Sequence, residues 1–204
     1  KPTCGLFSAS GVVPACRTVD TVSIFALTAG DAKAVLEVAA AFDEADAYSR
    51  PMAAGGVDFS AGPFRFGVPR AADLDFFGNA AAADLFAAAV ERLQSLGGVP
   101  VEVDLTPFLE AARLLYEGPW VAERYAAIRP FFDAHAAAVF EPVRTIIEGG
   151  RHKTAADAFA AQYQLKAFKR VCDAVWQRVD CLLTPTAGTI YRIADMQADP
   201  IRLN

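Results

Sequence analysis

The chain has 204 residues, of which 54% are hydrophobic and 21% charged, and its formal net charge is −5. That length holds one sizeable core or one lobe of a larger one, and the composition is that of a folded chain rather than a disordered one. The acidic balance gives no broad cationic face for nucleic acid. Apolar runs such as Val22–Leu27 and Ala80–Ala83 fall far short of the roughly 20 residues needed to span a bilayer.

From Lys1 to Pro14, breaker clusters (Lys-Pro-Thr, Cys-Gly, Ser-Gly) alternate with short apolar steps. This predicts an ordered ribbon of tight turns through residue 27, in which glycines allow positive φ or close backbone approach. Thr28-Ala29-Gly30-Asp31 opens a helix to Phe42, with Val35, Val38, Ala39 and Phe42 spaced to face a core. Pro51, Gly55, Gly56, Gly62 and Pro63 make 48–63 a long loop, followed by a short buried strand at Arg65–Pro69. Asn79 caps an alanine-rich helix to Leu96, stopped by Gly97-Gly98. Val101, Val103 and Leu105 then alternate with Glu102 and Asp104 as a strand. Strand, helix and strand in this order predict a βαβ unit with parallel pairing and a right-handed crossover.

The rest is mostly helical. The pattern predicts helices at Pro107–Tyr116, ended by Gly118-Pro119; at Trp120–Ile128, stopped by Pro130; and at Phe131–Phe140, stopped by Pro142, with a short piece to Ile147. Thr154 with Asp157 makes a capping box for a helix to Arg178, whose apolar side carries Phe159, Tyr163, Phe168, Val171, Val175 and Val179. Cys181–Thr186 is a last buried strand. The opening ribbon reads as the middle of a protein, and the tail from Ala194 to Asn204 carries no cap or closing strand. The expectation is therefore that residues 1–204 are the C-terminal part of a single domain extending beyond both ends.

Most polar residues read as structural. Cys4, Cys16, Cys172 and Cys181 lie in two distant pairs without Cys-x-x-Cys spacing, which suggests reduced, mostly buried thiols and a cytoplasmic setting. His135 and His152 lack partners at metal-ligand spacing, so no metal is expected. Ser8, Ser10 and Ser23 sit in turns without a basic neighbour, which favours backbone bonding over nucleophilic work. Trp120, Trp176, Phe131 and Phe132 read as packing residues, Arg151-His152-Lys153 as a solvated loop, and Asp180 as the anchor of a turn. Gly97-Gly98 lacks the spacing of a phosphate-binding loop.

The segment Leu114–Tyr125 carries more chemistry. Gly118-Pro119 ends one helix and starts the next, leaving Tyr116 at a helix end and Arg124 about one and a half turns into its successor. Such a corner can present a phenol and a guanidinium to one cavity. A guanidinium grips a planar carboxylate through two parallel charge-assisted hydrogen bonds. Spacing alone leaves the alternative that Arg124 pairs with a nearby acid and Tyr116 packs in the core.

The run Lys1-Pro2-Thr3-x-Gly5-x-x-Ser8-x-x-Gly11-x-x-Pro14, continued by Asp20, Val-Ser-Ile-Phe-Ala-Leu and Asp31, resembles the amidase signature family; Val22 stands where that family often has glycine. Leu-Tyr-x-Gly-Pro-x-x-Ala-Glu-Arg at 115–124, Leu-Leu-Thr-Pro-Thr-Ala-Gly-Thr-Ile-Tyr at 182–191 and Asp-Pro-Ile-Arg-Leu-Asn at 199–204 are similar to the amidase domain of the allophanate hydrolase group within it. The resemblance implies an α/β fold with a mixed sheet covered by helices. It implies a C–N hydrolase acting through a serine, a cis-peptide serine and a lysine, all upstream of Lys1, which is itself not the catalytic lysine. The catalytic set is thus outside the chain and the segment alone is expected to be inactive. Tyr116 and Arg124 match the pair that holds the substrate's carboxylate. The resemblance further implies a small anionic amide as substrate, no cofactor, and a homodimer of the full-length protein. Other amidase-signature hydrolases, such as a carboxybiuret hydrolase or an amidotransferase A subunit, and a catalytically inactive binding fragment, are the alternatives. The Tyr-x-Gly-Pro…Arg corner argues against the amidotransferase subunit.

Overall fold

In the computed structural model, residues 2–51 and 62–203 are described. The chain divides into two compact units, Lys1–Asp58 with Trp120–Lys153 and Phe59–Pro119 with Thr154–Asn204. Each is assembled from two separated stretches, so no shift of composition along the chain marks a boundary.

The second unit holds the sheet. Strands β1 (Phe64–Pro69), β2 (Gly98–Val103) and β3 (Cys181–Leu182) lie in the order β2-β1-β3. Both pairings are parallel, with Phe66 opposite Pro100 and Cys181. The α/β class and the βαβ unit are as expected: helix α2 (Ala80–Ser95) connects β1 to β2, and the Asn79 side chain caps it by accepting the Ala82 N–H at 3.1 Å. Alternation on β2 holds as well, with Val103 and Leu105 buried and Glu102 and Asp104 exposed. Val103, Leu105 and Val179 form a core against which Val101, Phe108, Val175 and Leu182 pack. Polar groups tie the strand ends. The Asp180 carboxylate accepts the Arg65 N–H at 2.7 Å, fixing the entry of β3 beside β1. At the other end, the Arg70 guanidinium donates to Asp73, Asp104 and Thr106.

Helices α3 (Thr106–Tyr116), α6 (Ala155–Val175) and α7 (Ile193–Ala198) complete this unit. The capping box at α6 is present, with the Thr154 N–H donating to Asp157 at 2.8 Å and the Asp157 N–H to Thr154 at 3.1 Å. The face that α6 turns inward matches the expected one only toward its C-terminal end, where Phe168, Val175 and the following Val179 are covered. Ala161 and Cys172 are buried and Leu165, Phe168 and Val175 half-buried, whereas Phe159, Tyr163 and Val171 are exposed. Apolar residues occur on two faces of this helix, and periodicity alone does not rank them; the smaller side chains at 161 and 172 permit the close approach.

The first unit contains α1 (Ala29–Ala39), α4 (Val121–His135) and α5 (Glu141–Gly149) beside the N-terminal ribbon. The ribbon is a series of turns as expected, with Leu6 N–H donating to Thr3 and Val12 N–H to Ala9. Gly5 stands at φ +84°, and a Cβ there would lie 2.6 Å from the Tyr48 carbonyl oxygen, so both glycine properties are used at once. Thr28 caps α1, but Val35, Val38, Ala39 and Phe42 are exposed rather than buried. Within the described residues that apolar face meets no core.

Pro130 does not end a helix. Val121–His135 is one helix with the proline inside it. Interior proline costs roughly 3 kcal/mol, and contacts across it offset that cost: Phe132 is fully buried and meets the Tyr125 ring edge-on at 5.9 Å, while the Tyr125 hydroxyl donates to Asp133 at 2.8 Å. Pro142 likewise starts α5 instead of breaking a longer helix, a position where its missing N–H loses nothing. Of the expected loop 48–63, residues 52–61 lie outside the described residues, as do Lys1 and Asn204.

Two substitutions test this packing. In denaturant unfolding of the chain, Phe66→Ala removes a ring with no exposure and costs about 3–5 kcal/mol. Thr154→Ala loses one cap and costs about 1 kcal/mol. Equal losses would mean that β1 is not the buried centre of its unit.

Candidate functional site

The residues singled out by the Leu114–Tyr125 corner fall in different units, and each is described within its own. Tyr116 is the last residue of α3 and is 70% exposed, so its phenol faces solvent and does not pack in the core. Arg124 lies one turn into α4. Among the described residues it forms no ion pair, and its Nε is buried without a hydrogen-bond partner. A buried donor left unsatisfied costs about 1–3 kcal/mol, and more when charged. Such a group takes its acceptor from outside the described protein atoms, a water or a ligand.

The other polar candidates are engaged in holding the chain. Ser8 Oγ donates to Asp43 Oδ2 at 2.6 Å and Ser10 Oγ to the same oxygen at 3.2 Å. The Ala9 N–H donates to Asp46 at 2.8 Å. Asp20 accepts the N–H groups of Ala15 and Cys16 at 2.9 and 3.0 Å. These bonds seat the ribbon on the 43–49 turn and leave the two serine hydroxyls without a basic partner. A cavity of about 290 Å³ opens beside them, lined by Ser10, Arg17, Asp20, Asp46 and Tyr48. It brings acids and one guanidinium together, but no nucleophile next to a base.

Cys16, Cys172 and Cys181 are free thiols, the first two buried and the third half-buried, and the half-buried Cys4 thiol donates to the Val19 carbonyl at 3.4 Å. Burial pushes the Cys172 and Cys181 thiols up, with Asp173 and Asp180 respectively adding to the effect. Neither is a thiolate nucleophile at neutral pH. Asp180 works as expected, anchoring the start of β3. Trp176 meets Phe108 edge-on at 6.3 Å and Phe131 meets the His135 ring at 5.5 Å, but both are exposed rather than core residues. Arg151, His152 and Lys153 are exposed, as expected, although Gly150–His152 is a short 3-10 turn and the Arg151 guanidinium is engaged. It bonds Asp133 at 2.8 Å and Glu148 at 3.1 Å, and lies over the Tyr125 ring at 5.4 Å from its centroid.

Sequence reasoning also missed Glu123, whose carboxylate accepts the Thr18 N–H and the Thr18 hydroxyl, both at 2.8 Å. The partners are 105 residues apart, and no local pattern announces such a pair. Ion pairs one helical turn apart, such as Arg129–Asp133, Lys33–Glu37 and Lys169–Asp173, are by contrast the kind that spacing shows.

The ribbon's anchorage has a pH signature. The Ser8 hydroxyl and the Ala45 N–H hold the Asp43 carboxyl below its ordinary range, and the Ala9 and Tyr48 N–H groups do the same for Asp46. A carboxyl whose folded pKa is depressed contributes stability fully above its unfolded value, about 3.9, and loses it as pH falls through the folded value. Melting temperature followed from pH 7 to pH 3 should therefore fall on the acid side. Asp43→Asn should lower it at pH 7 and flatten the acid limb; an unchanged limb would remove Asp43 from the anchorage.

Comparison with known proteins adds the following. A family model described as "Amidase" matches residues 1–200. Urea amidolyase of Lachancea kluyveri is 36% identical over 207 residues, covering 100% of this chain and 11% of that protein. Urea amidolyase of Saccharomyces cerevisiae is also 36% identical, over 210 residues, with the same shares covered. The solved structure of a serine-to-alanine variant of Kluyveromyces lactis allophanate hydrolase superimposes with a TM-score of 0.93 at 35% identity, covering 100% of this chain and 33% of that one. The chain thus spans about a tenth of the urea amidolyases and a third of the allophanate hydrolase chain. Among the described residues no helix is long and apolar enough to cross a membrane.

Proposed function

Because the chain belongs to the amidase signature family, matched over residues 1–200, we propose that it is the C-terminal part of one amidase domain that hydrolyses allophanate to ammonia and carbon dioxide. In this reading the Ser, cis-Ser and Lys lie upstream of Lys1. The serine attacks the amide carbonyl, ammonia leaves, and water hydrolyses the acyl-enzyme to a doubly carboxylated amine, whose loss of two carbon dioxides leaves the second ammonia. The present chain supplies the grip on the substrate. Arg124 takes the carboxylate through two parallel N–H donors, and the Tyr116 phenol adds a third. The parent enzyme works in the cytoplasm, without a cofactor, as a homodimer, in urea or triazine nitrogen use.

One observation carries this reading: Arg124 keeps a buried Nε unpaired among the described residues and forms no ion pair there. Allophanate is carboxylated urea, small, planar and anionic, and a site built around a cation discriminates against a neutral analogue by leaving that cation without its partner. The similarity to an allophanate hydrolase and to urea amidolyases supports the substrate class. Exposed apolar side chains, among them Phe25, Leu27 and Val38 in one unit and Phe159 and Ile190 in the other, support the partial-domain reading.

In the full-length parent, Arg124→Lys keeps the charge and loses the fork, and Arg124→Ala loses both. Each charge-assisted bond contributes about 1.5–3 kcal/mol, which is about 10- to 100-fold in kcat/KM for allophanate. Tyr116→Phe costs less, and neutral amides lose less than allophanate in every variant. Wild-type kcat/KM in Arg124→Ala, or equal loss on neutral amides, would make Arg124 a structural residue and remove the substrate assignment.

The isolated 204-residue chain should release no ammonia from allophanate above a buffer blank. Measurable turnover by the purified chain would place a catalytic set within it and overturn the division of labour.

A further inference from the structure

Arg124 is flanked in sequence by two residues whose side chains are tied to other parts of the same unit. Successive residues leave a helix about 100° apart, so Glu123 and Tyr125 hold α4 from either side of the direction taken by Arg124. On one side the Glu123 carboxylate accepts two donors from Thr18, its N–H and its hydroxyl, both at 2.8 Å. On the other, the Tyr125 hydroxyl donates to Asp133 Oδ1 at 2.8 Å, and Arg151 donates to that same oxygen at 2.8 Å. The Tyr125 ring lies beneath two guanidiniums, those of Arg151 and Arg129, at 5.4 and 5.8 Å from its centroid.

The start of the helix is held as well. The Cys16 thiol donates to the Trp120 carbonyl at 3.8 Å. A Cβ on Gly150 would stand 2.6 Å from the Val121 carbonyl oxygen, so the chain after α5 lies directly against the first turn of α4. Tyr125 and Asp133 both belong to α4, so rotation of the helix strains the Glu123–Thr18 bonds on one flank and the Arg151 contacts to Asp133 and the Tyr125 ring on the other. The only long polar side chain of the turn left without a protein partner among the described residues is the one between the flanks.

We propose that Glu123 and Tyr125, acting through Thr18 and through Asp133 with Arg151, are positioning residues that fix the direction of Arg124. They set the enzyme's preference for a carboxylated over a neutral amide without touching the substrate. The inference rests on the reading of Arg124 given above and adds the residues that make its grip selective. A guanidinium fork tolerates little angular error, because both donors must meet both carboxylate oxygens together.

The test uses the full-length enzyme, with allophanate and its neutral isostere biuret as probes, biuret followed by hydrolysis or by competitive inhibition. Three mild variants each remove one flanking bond: Thr18→Val, Glu123→Gln and Tyr125→Phe. Each should lower the allophanate-to-biuret ratio about 3- to 10-fold, chiefly through KM for allophanate, with kcat changing less. In an Arg124→Ala background the same substitutions should not change the ratio further, since coupled residues do not add.

A loss that falls equally on both probes, or one that persists undiminished beside Arg124→Ala, shows a general structural role and overturns the inference while leaving the Arg124 reading intact. If Arg124→Ala itself leaves the ratio at its wild-type value, the reading fails and the inference with it. Two of the variants act on the Thr18–Glu123 contact and one on the Tyr125–Asp133 contact, so misfolding of any one leaves the other two to decide.

Discussion

A charged nitrogen buried without a partner is costly, and a fold keeps one only when the surrounding structure holds it there. In the first unit that group is Nε of Arg124, and the bonds around it are what hold it. Glu123 is tied to the ribbon at Thr18, Tyr125 to Asp133 and Arg151, and the backbone at Val121 lies against Gly150. The ribbon is itself seated on the 43–49 turn by Ser8, Ser10, Asp43 and Asp46. A sequence of small polar contacts thus runs from the turn-rich N-terminal segment to one arginine.

Energetically these contacts differ in kind from those of the second unit. There the ordering comes from burial: Phe66 is fully enclosed in the middle strand, and Val103, Leu105 and Val179 close over one face of the sheet. Burial is non-directional and tolerates small shifts. Hydrogen bonds to a carboxylate do not, so those of Glu123, Asp133, Asp43 and Asp46, added in the first unit to a core that includes Phe7, Val121 and Phe132, suit the aiming of a side chain. Individually such half-exposed bonds contribute little to stability; their effect is on direction.

Much of the fold could be read from local pattern. Asn79, Thr28 and Thr154 cap the helices they were expected to cap, because a cap is a contact between residues two or three apart. The β1–α2–β2 unit followed from the order of elements and the alternation at 101–105. Pro130 was misread because proline's local cost was weighed without the Tyr125–Phe132 and Tyr125–Asp133 contacts that bridge it. The inward face of α6 was read correctly at Phe168, Val175 and the following Val179 and misread at Phe159, Tyr163 and Val171, because apolar side chains occur on two faces and a neighbour's shape chooses between them.

For the candidate site, the sequence by itself supplied the residue types: a tyrosine and an arginine eight residues apart across a Gly-Pro break, within motifs that resemble an amidase family. Residue types and short spacings carry that information directly. What only the tertiary structure decided is which groups are spent and which are left over. Ser8 and Ser10 are engaged by Asp43 from 35 and 33 residues away, Glu123 by Thr18 from 105, and Arg151 by Asp133 from 18, while Arg124 keeps a buried nitrogen unpaired among the described residues. Such pairings depend on chain segments meeting in space, and separation in sequence leaves no periodic trace of them.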